Sequence, residues 1–327
     1  MAAWAASGVG LTRVRASCME PRIWLIAGPT ASGKSALALR LARKIGAEIV
    51  GADALQIYRD LRVVTARPAP EDEAGVPHHL VGTVDGADGW SVGTWSRAAT
   101  QAIAEITGRG QPVVVVGGTG LYFRALTHGL AEIPATPPEL RDQAASDYET
   151  MGEVSFRHRL GDADPAAAAR ISPGDRQRLV RAWEVFAASG VSLTDWQGRT
   201  DPALPAGSYS SVALEPDRKA LYDRCDARLA SMLAAGALEE VAELMARNLD
   251  PALPIMKAVG VRELAAQLRG ELTPTRALTA AQQETRRYAK RQSTWQRGQM
   301  SDWPRVTASD PDDQWRQFLA LNPGLTP

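Results

Sequence analysis

Eight consecutive residues, Gly28-Pro29-Thr30-Ala31-Ser32-Gly33-Lys34-Ser35, constrain this chain more than any others. They follow a short apolar run, Ile23-Trp-Leu-Ile-Ala27, that reads as a buried strand. They match G-x-x-x-x-G-K-[ST], a loop whose backbone N–H groups wrap phosphate oxygens. Gly28 and Gly33 permit the tight turn. Lys34 reaches terminal phosphates as a point charge, Ser35 places a hydroxyl on Mg²⁺, and a helix expected from Ala36 to Lys44 aims its N-terminal dipole at the anion. The pattern leaves open whether the ligand is a nucleotide or a diphosphate ester.

The residues that follow extend this opening into an α/β sheet. Ala47-Glu-Ile-Val-Gly-Ala-Asp53 reads as a second parallel strand that delivers Asp53 to its carboxyl end, where such sheets bind ligands. Trp90 to Thr107 reads as an amphipathic helix with Trp95, Ala99, Ile103 and Ile106 on one face. Gln111-Pro-Val-Val-Val-Val116 is a continuously β-branched strand, buried on both faces as parallel strands are, and it runs into Gly117-Gly-Thr119-Gly-Leu-Tyr122, a second glycine-rich turn opening a helix. Two strand, glycine-loop, helix units indicate a P-loop NTPase-like parallel sheet flanked by helices.

A break at Pro134 to Pro138 starts a stretch with no strand-like run, so residues 135–204 read as an inserted all-helical subdomain between core segments 21–134 and 205–327. Its strongest helix follows Asp175 as N-cap, carries Leu179, Trp183 and Phe186 on one stripe, and ends at Gly190. Ser210 to Leu214 returns to strand character. Asp217 to Met300 is mostly helical, and the acidic tail with Trp315 and Phe318 reads as a terminal strand and helix on the surface. Residues 1–20 read as a disordered extension or as sequence upstream of the true start.

The charge balance excludes a bulk nucleic-acid signal: 37 Lys and Arg face 37 Asp and Glu, so any such signal must be local. It is found between Thr285 and Arg297, where Arg286, Arg287, Lys290, Arg291 and Arg297 stand with no acid, interleaved with Tyr288 and Trp295. Helical spacing groups Arg287, Lys290 and Arg291 on one face, either tracking a phosphate backbone or simply solvated. Arg176, Arg178 and Arg181 beside Gln177 form a second cluster on the insertion. Cys18 and Cys225 are too few for a metal-ligand set or disulfide framework and point to a reducing cytoplasm, and no run of eighteen apolar residues suggests a membrane span.

Several residues have more than one reading. Asp53 is an Mg²⁺-shell ligand, a general base or the cap of the next turn. Thr119 offers a hydroxyl at a helix N-terminus or belongs to a packing turn. Arg224 and Arg228 fall on one side of a helix. One of them reaches a diphosphate, or both pair with Asp223 and Asp226 at the surface. His78 and His79 are not at metal-ligand spacing and read as loop packing.

Taken together, the P-loop, Asp53-Ala-Leu-Gln-Ile-Tyr-Arg59, Thr65-Ala-Arg-Pro68, Pro77-His-His-Leu80, Gly117-Gly-Thr-Gly-Leu-Tyr122, Gln177-Arg-Leu-Val-Arg181 and Lys290-Arg-Gln-Ser-Thr-Trp295 resemble the bacterial tRNA dimethylallyltransferase (tRNA isopentenyltransferase) family, over nearly all of Arg22 to Trp303. The resemblance implies prenyl transfer from dimethylallyl diphosphate to the exocyclic N6 of adenine 37, beside the tRNA anticodon. By that analogy Lys34 and Arg228 neutralise the departing diphosphate, Ser35 and Thr119 hold its Mg²⁺, and Asp53 accepts the N6 proton. The adenine leaves its stack to reach the carbon. The implied tRNA contacts are Asp53, Ala54, Leu55, Gln56, Thr119, Arg141, Gln177, Arg178, Leu179, Val180, Arg181, the Pro254 to Val259 loop with Lys257, and Thr285 to Gln292 with Arg286, Arg287, Lys290 and Arg291. The insertion grips the anticodon stem, and the family expectation is a monomer. The chain departs from the family pattern at Ala54, Val63-Val64, Gly260-Val261 and Trp95, none of which carries a charge with a catalytic role. Competing readings are an adenylate isopentenyltransferase acting on free nucleotide, a P-loop kinase or ATPase that binds RNA, and a non-catalytic RNA-binding module.

Overall fold

In a computed structural model, which describes residues 22–325, the elements run β1 (Ile23–Ala27), α1 (Lys34–Ile45), β2 (Glu48–Gly51), α2 (Pro70–Gly75), β3 (His78–His79), α3 (Val92–Gly108), β4 (Val113–Gly117) and α4 (Gly120–His128). After these come α5 (Pro138–Ala163), α6 (Pro165–Arg170), α7 (Arg176–Ser189), α8 (Leu193–Gln197), β5 (Ser210–Leu214), α9 (Arg218–Ala234), α10 (Ala237–Ala246), α11 (Val261–Leu268), α12 (Pro274–Gln299), β6 (Arg305–Val306) and α13 (Pro311–Leu321). The expected extension at residues 1–20 lies outside the described residues.

The strands form one sheet in the order β3-β2-β4-β1-β5-β6 with every pair parallel. Because strand side chains alternate, Ile23, Leu25, Ala27, Val113 and Val115 face one core with Trp95, Ile106 and Phe123. Trp24, Ile26 and Val114 face a second core with Leu37, Leu41 and Phe318. Both faces are covered, which is why these strands read as unbroken apolar runs. Register sets Ala27 beside Gly117 and Gly51 beside Val116, so the loops that begin at Gly28, Ala52 and Gly118 leave the same sheet edge.

Three expectations change. The C-terminal segment is not a surface appendage: Phe318 is fully buried and its ring lies 5.7 Å from Trp24, so α13 covers the sheet beside α1. His78 and His79 form an edge strand rather than a loop, and the His79 ring nitrogen meets Glu48 Oε2 at 2.6 Å. Helix α1 also starts at Lys34, two residues before the expected position.

Helices α5 to α8 share their own small core, built on Phe156, Leu160, Ala167 and Leu179. Within α5 the chain kinks at Gly152, whose φ of 73° only glycine adopts readily. Asp175 caps α7 by accepting from the Arg178 N–H, and Gly190 closes it in a left-handed turn, as the sequence predicts. Its buried stripe is Leu179, Val180, Ala182 and Val185. Trp183 is only half-buried and lies beneath the Arg159 guanidinium at 4.1 Å.

Candidate active site

Three loops meet at the carboxyl edge of the sheet. The first is the phosphate loop, in which Gly33 takes a φ of 96° before α1 begins. Lys34 folds its ammonium back toward the Pro29 carbonyl at 3.4 Å. The second holds Asp53, whose Oδ1 accepts from the Leu55 N–H (3.0 Å) and the Gln56 N–H (3.3 Å). The capping role weighed for Asp53 is therefore real, but it engages only one carboxylate oxygen. The third holds Thr119, whose N–H donates to the Ala52 carbonyl (3.2 Å) and whose Oγ1 accepts from the Ala54 N–H (3.0 Å). Because that contact uses the backbone of residue 54, alanine there serves as well as serine.

Trp95 anchors this edge from below. Its indole N–H donates to the Gly51 carbonyl at 2.9 Å, and the ring stacks on Tyr122 with centroids 4.0 Å apart. A phenylalanine could stack in the same way but would leave the carbonyl without its donor.

Helix α9 supplies the cation opposite the phosphate loop. Arg228 donates to Thr30 Oγ1. The alternative of surface pairing fails for Arg224 and Arg228 alike, because Asp223 pairs with Lys219 and Asp226 with Arg286, while Arg224 donates to the Ser309 carbonyl at 2.7 Å. Between α9, α12 and the second loop lies a cavity. Thr30, Asp53 and Arg228 form its polar end, Leu55, Val64, Leu229, Met232 and Ala258 its apolar wall, and Thr285 and Tyr288 its α12 side. Glu240, on α10, shapes the wall by accepting from the N–H groups of Arg62, Val63 (2.9 Å) and Val64 (2.8 Å).

Burial dominates the electrostatics. It lowers the Lys34 ammonium to about 8, with Asp53 pulling it up and Arg228 pushing it down. Burial also lowers the Arg228 guanidinium, against the attraction of Cys225 and Asp53, and raises the Tyr288 phenol, which the Asp53 charge raises further. One desolvated cation, Arg228, lines the polar pocket end with one carboxylate, and the buried Lys34 ammonium lies behind it in the phosphate loop, an arrangement suited to an anion that brings its own charge.

The sequence-predicted residues divide clearly. Gly28 to Ser35, Asp53, Thr119 and Arg228 come together here. Gln177, Arg178, Arg141, Lys257, Arg287, Lys290 and Arg291 are exposed, and the Arg291 guanidinium lies over the ring of the cavity-lining Tyr288 at 5.7 Å. Leu179 and Val180, expected to touch RNA, are 0% and 6% exposed and face the core of the insertion. Arg286 is tied to Asp226 at 2.6 Å, joining α9 to α12, and the Gln56 amide is spent on the Thr65 and Ala66 carbonyls (2.9 and 3.0 Å). Sequence reasoning missed Glu240 and Gln314, and it placed Gln292 only at the end of the RNA-contacting stretch Thr285 to Gln292, whereas its amide is buried against the Thr30 N–H and the Gly118 carbonyl. Isolated Glu and Gln residues in amphipathic helices carry no local signal of a long-range contact.

The donor set bears on Mg²⁺. Among the described residues no cluster of three or more His, Cys, Asp or Glu could hold a metal ion. Ser35 is exposed at the start of α1 and its hydroxyl has no partner there, while the Thr119 hydroxyl accepts from the Ala54 N–H and bonds the Tyr288 phenol. Hydroxyls without a carboxylate cage fit an ion that arrives with phosphate oxygens and water.

The profile of the IPP transferase family matches residues 56–299, and that of isopentenyl transferases matches residues 21–78. A tRNA dimethylallyltransferase of Phenylobacterium zucineum is 70% identical over 94% of this chain and 100% of its own length. One from a Caulobacter species is 57% identical over 92% and 97%. Among solved structures, the tRNA isopentenylpyrophosphate transferase of Bacillus halodurans aligns with a TM-score of 0.66 at 30% identity, over 94% of this chain and 97% of that one. A eukaryotic dimethylallyltransferase acting on tRNA shares the fold with a TM-score of 0.80 at 24% identity, over 92% and 78%.

Proposed function

The chain belongs to the IPP transferase family of tRNA dimethylallyltransferases, and from that premise we propose that it transfers a dimethylallyl group from dimethylallyl diphosphate to N6 of adenine 37 in tRNA, releasing diphosphate. The observation that carries the reading is the cavity itself. A cationic end at Arg228 and the phosphate loop adjoins an apolar wall of Leu55, Leu229 and Met232, with Asp53 beside both. That is the polarity of a short prenyl diphosphate, charged at one end and hydrocarbon at the other.

In this reading Lys34 and Arg228 hold the diphosphate, and the loop N–H groups from Ser32 to Ser35 receive the charge that grows on the bridging oxygen. The N6 lone pair attacks C1 of the prenyl group. The C1–O bond breaks with its electrons going to the diphosphate, and the N6 proton passes to Asp53 through the carboxylate oxygen that the turn does not use. The hydrocarbon wall excludes water that would otherwise compete for the allylic carbon. Ser35 and Thr119 would hold Mg²⁺, which when bound adds positive charge at the leaving diphosphate. RNA is gripped by the exposed faces of α7 and α12, through Gln177, Arg178 and Arg181 and through Arg287, Lys290 and Arg291. A cytoplasmic monomer belongs to the same proposal; among the described residues no helix is long and apolar enough to cross a membrane.

The test supplies labelled dimethylallyl diphosphate, Mg²⁺ and an unmodified anticodon stem-loop, with AMP and γ-labelled ATP in parallel. Label is expected on adenine 37 of the RNA. Label on AMP would select the adenylate branch, and phosphate release from ATP without prenyl transfer would replace the reaction altogether. Within the same assay Asp53→Asn, which keeps the acceptor for the turn, is expected to lower kcat by ~10²–10⁴ with tRNA affinity intact. Normal turnover at saturation with weakened tRNA binding would make Asp53 a binding residue only.

A further inference from the structure

Two buried side-chain amides reach the phosphate loop from the far end of the chain. Gln292, on α12, accepts from the Thr30 N–H at 2.8 Å and donates to the Gly118 carbonyl at 2.9 Å. Gln314, on α13, donates through Nε2 to the Ser32 carbonyl at 2.8 Å and to the Ala308 carbonyl at 3.0 Å. They are 7% and 1% exposed, so water could not easily replace either amide. The fit is close on both sides. A Cβ on Gly118 would lie 2.3 Å from Gln292 Nε2, and one on Gly33 would lie 2.5 Å from Gln314 Oε1. Glycine at these two positions admits the amides as well as the turn.

We infer that Gln292 and Gln314 are positioning residues that hold the phosphate loop in its anion-binding shape before substrate arrives. Gln292 ties the loop to the Thr119 turn, and Gln314 pins it to the C-terminal helix. The inference rests on the reading of this loop as the diphosphate cradle. A cradle made of backbone N–H groups binds well only if those groups already converge, because ordering a free loop would consume part of the binding energy. Thr30 shows how complete the constraint is, since Gln292 takes its N–H and Arg228 its hydroxyl. The same arrangement makes α12 two-sided. Arg287, Lys290 and Arg291 face solvent while Gln292 faces the loop, so the helix proposed to carry RNA also sets the diphosphate site. Gln314 lies beyond residues 56–299, the span that the family profile matches, and only its contacts reveal its role.

Methionine substitutions keep an unbranched chain of similar length and remove the amide. Gln292→Met and Gln314→Met are each expected to weaken binding of inorganic diphosphate with Mg²⁺, read by calorimetry, by ~10-fold. The KM for dimethylallyl diphosphate should rise by a similar factor while the tRNA Kd stays within ~2-fold. Gln317→Ala is the comparison, because Gln317 sits on the same helix but accepts only from the Thr307 and Ala308 N–H groups (2.9 and 3.0 Å). It should leave the diphosphate affinity unchanged. If Gln314→Met does not fold, Gln314→Asn, which keeps a buried amide that falls short of the Ser32 carbonyl, is expected to fold and to show the same loss. Wild-type diphosphate affinity in the folded variants overturns the inference, as does an equal loss in Gln317→Ala. A wild-type protein that binds no diphosphate overturns the cradle reading instead.

Discussion

Lys34 is held where an ammonium is least at ease, enclosed by the loop that its own motif builds. Burial lowers it to about 8, whereas the unfolded chain keeps it near 10.5. The sign of the linkage follows. Between about 8 and 10.5 the unfolded state binds the proton more firmly, so this residue makes stability rise with pH across that window, and below it the full penalty is present. Lys34→Met is therefore expected to stabilise the ligand-free protein at pH 7, by on the order of 1–3 kcal/mol, while abolishing diphosphate binding. Calorimetric melting of both proteins at pH 7 and pH 10 checks this. The advantage of the variant should shrink at the higher pH, and a variant less stable than the wild type at pH 7 would mean that Lys34 is already neutralised within the fold. Such tension is usual where a site is built for a charge it does not yet hold.

Helices α4 and α12 meet so closely that their junction depends on a missing side chain. A Cβ on Gly120 would fall 2.1 Å from Trp295 Cε3 and 2.2 Å from Cζ3, well inside any tolerable contact. The glycine has an ordinary negative φ, so the requirement is space and not backbone conformation. Gly120→Ala should push the indole and α12 away from the first turn of α4, destabilising the protein by about 1–3 kcal/mol in urea unfolding. The same shift would carry Gln292 away from the phosphate loop. A neutral Gly120→Ala would show that Trp295 has room to rotate. The aromatic residues beside the basic run thus mark packing against the catalytic turn, and the charges between them point the other way.

Across the whole molecule, charge is balanced in sum and separated in place. Arg287, Lys290 and Arg291 present three cations on one exposed face of α12, and Glu284 lies 3.6 Å from Arg287 and 2.9 Å from Arg291. Glu284 offsets about one of the three. Replacing the three by glutamine is expected to weaken tRNA binding and to flatten its logarithmic salt dependence by about two, since roughly one counterion is released per neutralised phosphate. The kcat at saturating tRNA should not change. Binding measured from 50 to 300 mM salt gives the slope, and an unchanged slope would move the RNA to another face. The helices α5 to α8 have a separate small core, so their exposed Gln177 and Arg178, with the half-buried Arg181 tied to Thr136 and Glu184, stand on a platform that owes little of its packing to the sheet.

The parts of this protein that were legible in the sequence are those set by short-range physics. The phosphate loop, the strands Ile23–Ala27 and Val113–Gly117, the buried stripe of α3 and the caps at Asp175 and Gly190 each follow from residues within one or two turns of each other. Hydrophobic periodicity and glycine placement are local quantities. What only the tertiary structure decided lies at long range. It shows Arg228 meeting Thr30, Gln292 and Gln314 holding the loop, Glu240 fixing the 62–64 segment, Val180 turned into the insertion beside Leu179, and α13 closing the second face of the sheet. A glutamine on an amphipathic helix looks the same whether it faces water or a carbonyl 282 positions earlier in the chain. Only the docking of the helices decides which, because a buried donor must find its acceptor wherever the fold happens to bring one.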